Sequence, residues 1–159
     1  MDQQIEYEHT QVGWLIIVLT FLIEAVLVIV ILTIPSGISF QTPIPYVFVS
    51  LLLLIALFGS LKVQVNDQNL QIAFGIGFIR KRFPLAEIRE VQKVRNKWWY
   101  GWGIRSGLFR GFNWLFNVSG LDAIQIRMNN GLVYRIGTDE VDNLYRVVEK
   151  SIILAGTSG

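Results

Sequence analysis

Cysteine is absent from the 159 residues, and histidine occurs once, at His9. The missing thiols exclude disulfides and thiolate metal sites. One histidine beside an apolar run is a poor basis for a metal or haem site, so no cofactor is expected. The sequence also has no Ser/His/Asp or Cys/His arrangement and no acid pair at a catalytic spacing. It therefore predicts a protein that is not an enzyme.

Positive charge is missing from the first 61 residues. They carry four acids, Asp2, Glu6, Glu8 and Glu24, and no Lys or Arg, whereas residues 62–159 carry all 14 bases. In membrane proteins the Lys- and Arg-rich portion stays in the cytoplasm, and a base-free loop is translocated. The charge division predicts a multi-pass membrane protein with both termini cytoplasmic.

The base-free portion contains two long apolar runs, residues 14–34 and 44–61. The first contains 21 residues, which at 1.5 Å per residue span about 30 Å, the thickness of a hydrocarbon core. The second contains 18 residues, near the lower limit for a span, and a re-entrant segment is its alternative. The predicted organisation is an acidic leader (1–13), a two-helix transmembrane hairpin (14–61) and a cytoplasmic domain (62–159).

Glu24 is the one charged residue inside the first apolar run. A carboxylate at this depth is costly and is usually protonated, paired or functional. One hypothesis is a hydrogen bond between protonated Glu24 and Ser50 on the second run. The other is an intramembrane interaction of Glu24 with another subunit or a second copy of the chain.

The second portion alternates apolar and polar residues, as half-buried strands do. Seven short strands are predicted, at residues 61–65, 70–74, 78–83, 88–95, 112–118, 121–128 and 132–136. Asn130-Gly131 is a strong hairpin signal between the last two. Thr138 is placed to cap a helix whose apolar stripe is Val141, Leu144, Tyr145, Val148 and Ile152, with Gly156 as its terminator. The expected α+β domain is an antiparallel barrel or sandwich closed by this C-terminal helix.

Four stretches resemble small bacterial membrane proteins that have N-terminal transmembrane helices and a pleckstrin-homology-like (PH-like) domain. They are Tyr100-Gly101-Trp102-Gly103-Ile104-Arg105, Asn117-Val118-Ser119-Gly120, Asn130-Gly131 and Arg135-Ile136-Gly137-Thr138-Asp139. The resemblance covers roughly residues 61–155, and Val141 stands where those proteins usually have proline. It implies a PH-like fold and a bacterial inner (plasma) membrane location, and it says little about activity.

Residues 79–110 combine nine bases and two acids with several aromatic residues. Basic residues next to a membrane attract anionic lipids, and neighbouring aromatics favour the headgroup zone. The predicted lipid- or partner-binding residues are Arg80, Lys81, Arg82, Lys93, Arg95, Lys97, Trp98, Trp99, Arg105 and Arg110. The alternative is a solvated basic face that enforces topology, with Trp102 and Ile104 filling the barrel.

Two functions fit these expectations. The first is a membrane-anchored scaffold or interaction protein that binds anionic headgroups or a protein partner at the cytoplasmic surface. The second is an accessory subunit of a larger membrane complex, such as an energy-converting complex, docked through its transmembrane helices. A protein partner or a homo-oligomer within the membrane is expected in either case. Nucleic acid is not an expected partner, because the segment lacks a recognised nucleic-acid motif.

Overall fold

The computed structural model describes residues 5–33, 43–107 and 111–157. The elements are β1 (Ile5–Val12), α1 (Trp14–Thr33), α2 (Pro43–Phe58), β2 (Ser60–Asn66), β3 (Asn69–Phe74), β4 (Ile79–Pro84), β5 (Ile88–Arg95), β6 (Gly103–Ser106), β7 (Trp114–Asn117), β8 (Asp122–Met128), β9 (Val133–Gly137) and α3 (Val141–Thr157). Short 3-10 turns occupy Leu85–Glu87 and Trp98–Tyr100.

The strands form two sheets. The first has the order β1-β2-β3-β4 and is antiparallel throughout. The second has the order β5-β8-β9-β7-β6, and β7 pairs with β9 in parallel. The core lies between the two sheets. It contains alternate residues of β2 and β3 and the inner faces of β7, β8 and β9. The sequence alternates apolar and polar residues because each of these strands buries one face.

The helix α3 closes one side of this core. Leu144 and Val148 are fully buried, and Val141, Tyr145 and Ile152 pack against the same cluster, so the predicted apolar stripe is confirmed. The Thr138 hydroxyl accepts a hydrogen bond from the Glu140 amide at 3.0 Å, next to the helix start. The expected stop at Gly156 is wrong by one residue, since α3 continues to Thr157.

The hairpin predicted at Asn130-Gly131 is confirmed. It joins β8 and β9, which pair antiparallel, and Gly131 has a φ of 83°. The Asn130 side chain accepts a hydrogen bond from the Leu132 amide at 3.0 Å, which fixes the turn locally. The Gly131 amide donates to the Met128 carbonyl at 3.0 Å, so Asn129 and Asn130 are the central residues of the turn. Gly131 follows them with a positive φ, which glycine adopts without steric strain.

The predicted antiparallel barrel or sandwich of about seven strands is wrong. Within the described residues there are nine strands in two sheets of four and five, and these sheets do not close on one another. The additional strands are β1 and β6. Strand β6 has only four residues, and β1 lies in the acidic leader, so neither has a strong local signal. The sheet-rich domain with its C-terminal helix is compatible with a PH-like fold.

The leader residues 5–12 form β1, which pairs along its whole length with β2. Its side chains also reach α3 and the start of that helix. Tyr7 donates a hydrogen bond to Glu140 at 3.2 Å, and His9 lies 2.6 Å from Asp139. Burial first, and then the Glu140 carboxylate, raise the pKa of the Tyr7 phenol. Glu6 and Glu8 of the leader thus lie in a strand that belongs to the sheet domain.

The predicted two-helix transmembrane hairpin is also wrong. Among the described residues only α1, with 20 residues, is long and apolar enough to cross a membrane. The helix α2 has 16 residues, about 24 Å, which falls short of the roughly 30 Å core. The second apolar run divides at Gly59, because Leu61 is a buried core residue of β2. The coarser expectation, membrane association, rests on the length and composition of α1.

We expect Leu144→Ala to lower the free energy of unfolding by about 2–5 kcal/mol, because it leaves a cavity where a fully buried side chain stood. Ile153→Ala on the same helix is the matched control, since Ile153 is 62% exposed and its loss should change stability by no more than about 0.5 kcal/mol. Thermal unfolding of both variants in one detergent measures the difference. Equal shifts would contradict the packing of α3 described above.

Candidate functional site

The helices α1 and α2 join the first sheet without a linker. Gly13 alone separates β1 from α1, and Gly59 alone separates α2 from β2. The Gly13 amide donates to the Gly59 carbonyl at 2.8 Å. A Cβ atom at Gly59 would lie 2.5 Å from the Ile55 carbonyl oxygen, so glycine is needed at this close approach. We call the end of the domain at this junction the helix-facing end.

The turn between β3 and β4 also lies at the helix-facing end. The Ile76 amide donates to the Ala56 carbonyl of α2 at 2.9 Å, and the Gly75 amide donates to Ser60 at 2.8 Å. Gly75 has a φ of 51°, and a Cβ atom there would lie 1.8 Å from the Ala56 oxygen. The turn therefore holds Ile76 beside α2, where it is 67% exposed, and Phe78 of the same turn is 78% exposed.

Strand β6 approaches the helices from the second sheet. A cavity of about 410 Å³ lies between Trp102–Arg105 on one side and Ile16, Thr20, Leu54 and Phe58 of the helices on the other. Residues 102–105 therefore lie against the first turns of α1 and the last turns of α2. The sequence had suggested either a binding segment or the filling of a barrel for this stretch.

Basic and aromatic or aliphatic side chains thus surround the helices where they leave the domain. We call this group the collar; its members are Lys62, Ile76, Phe78, Arg80, Trp102 and Arg105. Of the collar, only Arg80 and Arg105 are among the residues predicted to bind. The sequence did not predict Lys62, Ile76 or Phe78. The signal for the last two is the segment Gly75-Ile76-Gly77-Phe78, which places two large apolar residues in a glycine turn.

The outer face of the first sheet carries two rows of polar residues. The strand register places Thr10, Lys62, Ala73 and Arg80 in one row, and Glu8, Gln64, Gln71 and Arg82 in the next. Lys62 lies 2.6 Å from the Glu8 carboxylate, and Gln64 donates to the other oxygen of Glu8 at 2.6 Å. The Lys62 ammonium and then the Gln64 amide hold the pKa of Glu8 below its usual range.

The three predicted bases of β4 do not share a face. Arg80 and Arg82 lie on the outer face of the first sheet, and Arg80 donates to the Gly77 carbonyl at 2.5 Å. Lys81 lies on the opposite face, with its ammonium 4.4 Å from the centroid of the Tyr134 ring. Successive side chains of a strand point to opposite faces of the sheet, so Lys81 cannot share a face with Arg80 and Arg82.

Two further predicted bases, Lys93 and Arg95, lie on β5 at the edge of the second sheet, and each faces an acid. Lys93 lies 2.5 Å from Asp142 on α3, and Arg95 lies 3.9 Å from Asp122 on β8. Lys93 also lies 5.0 Å above the Tyr145 ring. The Lys93 pair therefore connects β5 to α3, a structural role that the sequence pattern did not reveal.

The predicted residues after β5 form a local aromatic cluster. Lys97 lies 5.1 Å above the Trp99 ring, and Trp98 and Trp99 meet edge to face at 5.8 Å. Arg105 donates to the Trp102 carbonyl at 3.2 Å. Arg110 lies outside the described residues. The structure thus brings Lys97, Trp98 and Trp99 together in the turn after β5, whereas Arg80 and Arg82 lie on the first sheet.

Arg135 of β9 anchors the aromatic loop and was missed by the sequence analysis. Its guanidinium lies 4.6 Å from the Phe112 ring and 5.8 Å from the Tyr100 ring. It donates to Gln125 at 2.9 Å and to Asn96 at 3.2 Å. Burial lowers the pKa of Arg135 from its ordinary value. A base that alternates with buried residues in a strand gives no local sign of such a role.

Glu24 is buried between α1 and α2, and Ser50 Oγ lies 2.8 Å from Glu24 Oε1, as the first hypothesis for this residue expects. Ser50 Oγ lies equally close, 2.8 Å, to the Val47 carbonyl oxygen. Ser50 is the donor in both contacts, so its single proton is shared between Glu24 Oε1 and the Val47 carbonyl oxygen.

We expect Lys93→Gln to raise the pKa of Asp142, because the hydrogen bond from Lys93 is the main cause that lowers this pKa below its ordinary value of 3.8. A lowered pKa in the folded state stabilises the fold above the unfolded value, and that contribution is lost as the pH falls through the folded value. NMR titration of the carboxyl carbon measures the shift. Arg95→Gln is the control, and an Asp142 pKa that responded equally to both variants would contradict the pairing.

A scan of protein-family models finds no match to this chain, and a search of curated proteins finds no significant relative.

Proposed function

We propose that the protein is a non-enzymatic, membrane-anchored interaction module of the PH-like type, held at the cytoplasmic surface of a bacterial inner membrane, where its sheet domain contacts anionic lipid headgroups. The observation that supports this most directly is the collar. Its three bases and three large apolar side chains surround α1 and α2 where the helices leave the domain.

The depth of the collar follows from the helix junction. The exposed Trp14 is the first residue of α1, and tryptophan favours the headgroup level of a bilayer. With Trp14 at that level, Ile76 and Phe78 lie near the acyl boundary, because their turn is hydrogen-bonded to the last turn of α2. Exposed apolar side chains at this position are favourable in a membrane and costly in water.

The collar bases add an electrostatic contribution. Arg80 and Arg105 belong to the collar, and each base near an anionic surface contributes about 1 kcal/mol to association. Lys62 contributes less, because it is paired with Glu8. The domain is already tethered through Gly13 and Gly59, so this contribution is available for orientation. The absence of Lys and Arg from residues 1–61 favours a cytoplasmic position for the domain.

We expect a label at Ile76→Cys to lie within the lipid and a label at Asn130→Cys to lie outside it. Both residues are exposed turn residues, and Ile76 is bonded to the end of α2. Val118, shortly before β8, lies beside Gly13 at the helix-facing end, so Asn130, after the far end of β8, lies at the opposite end of the domain. The chain has no other cysteine, so each labelled variant reports one position. Quenching of a fluorescent label by brominated lipids in vesicles containing phosphatidylglycerol measures the depth.

Equal quenching at the two positions would overturn the proposed orientation. The Asn130→Cys variant also reports sidedness, since a membrane-impermeant thiol reagent should modify it only from the cytoplasmic side. Modification from the opposite side alone would overturn the proposed location while leaving the depth measurement intact.

The accessory-subunit function remains a prediction for the same chain. Most of the apolar surface of α1 faces outward, which suits lipid and a protein partner equally. The contact of Glu24 with Ser50 lies within the chain, which favours an internal role for this carboxyl over docking.

We therefore expect Glu24→Leu to leave the oligomeric state in mild detergent unchanged and to reduce stability by about 0.5–2 kcal/mol, as loss of an interhelical hydrogen bond does. Glu24→Gln retains an oxygen that can accept the hydrogen bond from Ser50 and serves as the control. Size-exclusion chromatography with light scattering gives the oligomeric state. Loss of a stoichiometric partner in Glu24→Leu alone would instead support the accessory-subunit function.

A further inference from the structure

The outer face of the first sheet contains a cavity of about 330 Å³ at the helix-facing end. Lys62, Gln64, Gln71, Ala73 and Arg80 provide its side-chain lining, and Ile76 and the two glycines of the β3–β4 turn complete it. From its lining and position we infer that this cavity binds the phosphodiester of an anionic membrane lipid. The inference rests on the proposed function and specifies a site for the lipid.

The strand register creates the cavity. Lys62, Ala73 and Arg80 are direct neighbours across β2, β3 and β4. The outer strands of such a row are about 10 Å apart, which leaves room for an anion between the two long basic side chains. The small side chain of Ala73 forms the floor. A larger residue at this central position would fill the space that the cavity occupies.

The charges match a phosphodiester. Lys62 and Arg80 bring two positive charges, and the Glu8 carboxylate, 2.6 Å from Lys62, offsets one of them. A phosphodiester carries a single negative charge, which the remaining positive charge balances. Glu8 also binds the Gln64 amide, so it orients Lys62 and Gln64 together. Arg80 is held near the turn by its bond to the Gly77 carbonyl.

The neutral side chains suit the rest of a headgroup. Gln64 and Gln71 lie opposite one another in the adjacent row, and their amides donate and accept hydrogen bonds. Phosphate oxygens and headgroup hydroxyls are partners for such groups.

The position of the cavity favours a lipid over a free phosphodiester. Ile76 lines it and is bonded through its amide to α2. The same residue thus connects the charged cavity with the apolar surface of the helices. A lipid whose phosphodiester lies between Lys62 and Arg80 would therefore direct its acyl chains past Ile76 toward α2.

Native mass spectrometry of the full chain in mild detergent tests the site. We expect one phosphatidylglycerol to be retained per chain, in preference to phosphatidylcholine. The double variant Lys62→Gln/Arg80→Gln should reduce retention by at least about tenfold, because two charge-assisted contacts are lost. Arg89→Gln/Arg127→Gln removes the same charge from the second sheet and should retain the lipid.

A second variant removes the space and keeps the charges. Ala73→Phe should reduce retention to the same extent, and phenylalanine is well tolerated on a strand. Ala73→Ser is its control and should bind as the unaltered chain does. Thermal unfolding shows whether each variant is folded. Retention unaffected by Ala73→Phe, or equal loss in both double variants, would overturn the site.

A soluble glycerophosphodiester distinguishes the source of the phosphodiester. We expect it to displace the lipid only at concentrations at least about tenfold higher than those of added phosphatidylglycerol, because it lacks the acyl chains that run past Ile76. Equal competition would overturn the assignment to a lipid. An empty cavity in a chain whose Ile76 label is still quenched by lipid would reject this site and leave the proposed function standing.

Discussion

The backbone pairing of β1 with β2 is the constraint on which the rest of the structure depends. It brings Gly13 and Gly59 together, and their hydrogen bond at 2.8 Å fixes the start of α1 against the end of α2. The two helices are consequently an insertion between neighbouring strands of one sheet. The position of the domain relative to α1 is set by strand register, and a flexible linker would not give such a fixed position.

The same pairing explains why the collar exists. Turns and strand ends that are distant in sequence meet at one end of the domain. The start of β2 and the β3–β4 turn lie there, and β6 approaches from the second sheet. The basic residues have two different roles in this structure. Lys93 is paired with Asp142 and connects β5 to α3, whereas Arg80 lies on the outer face beside the helices.

The secondary structure was largely predictable where the pattern is local. The start of α1 at Trp14, the Asn130-Gly131 hairpin and the apolar stripe of α3 follow from hydropathy, turn chemistry and helical period. Local patterns failed where a segment depends on a distant partner. Strand β1 is stabilised by β2, and the end of α2 is set by the burial of Leu61, so neither boundary has a sufficient signal in its own residues. For the site, composition predicted the residue types, but the segment 79–110 is divided between two sheets.

The sequence by itself determined the composition of each portion: a base-free part with a helix apolar enough for a membrane, and a basic part with alternating strands. Charge and hydropathy are sums over consecutive residues, so they can be read without knowing which residues are in contact. Only the tertiary structure decided which bases face outward, which are paired with acids, and which lie beside the helices. That decision depends on strand register, because a shift of one residue would turn Lys62 and Arg80 into the core and bring Leu61 and Phe83 to the surface.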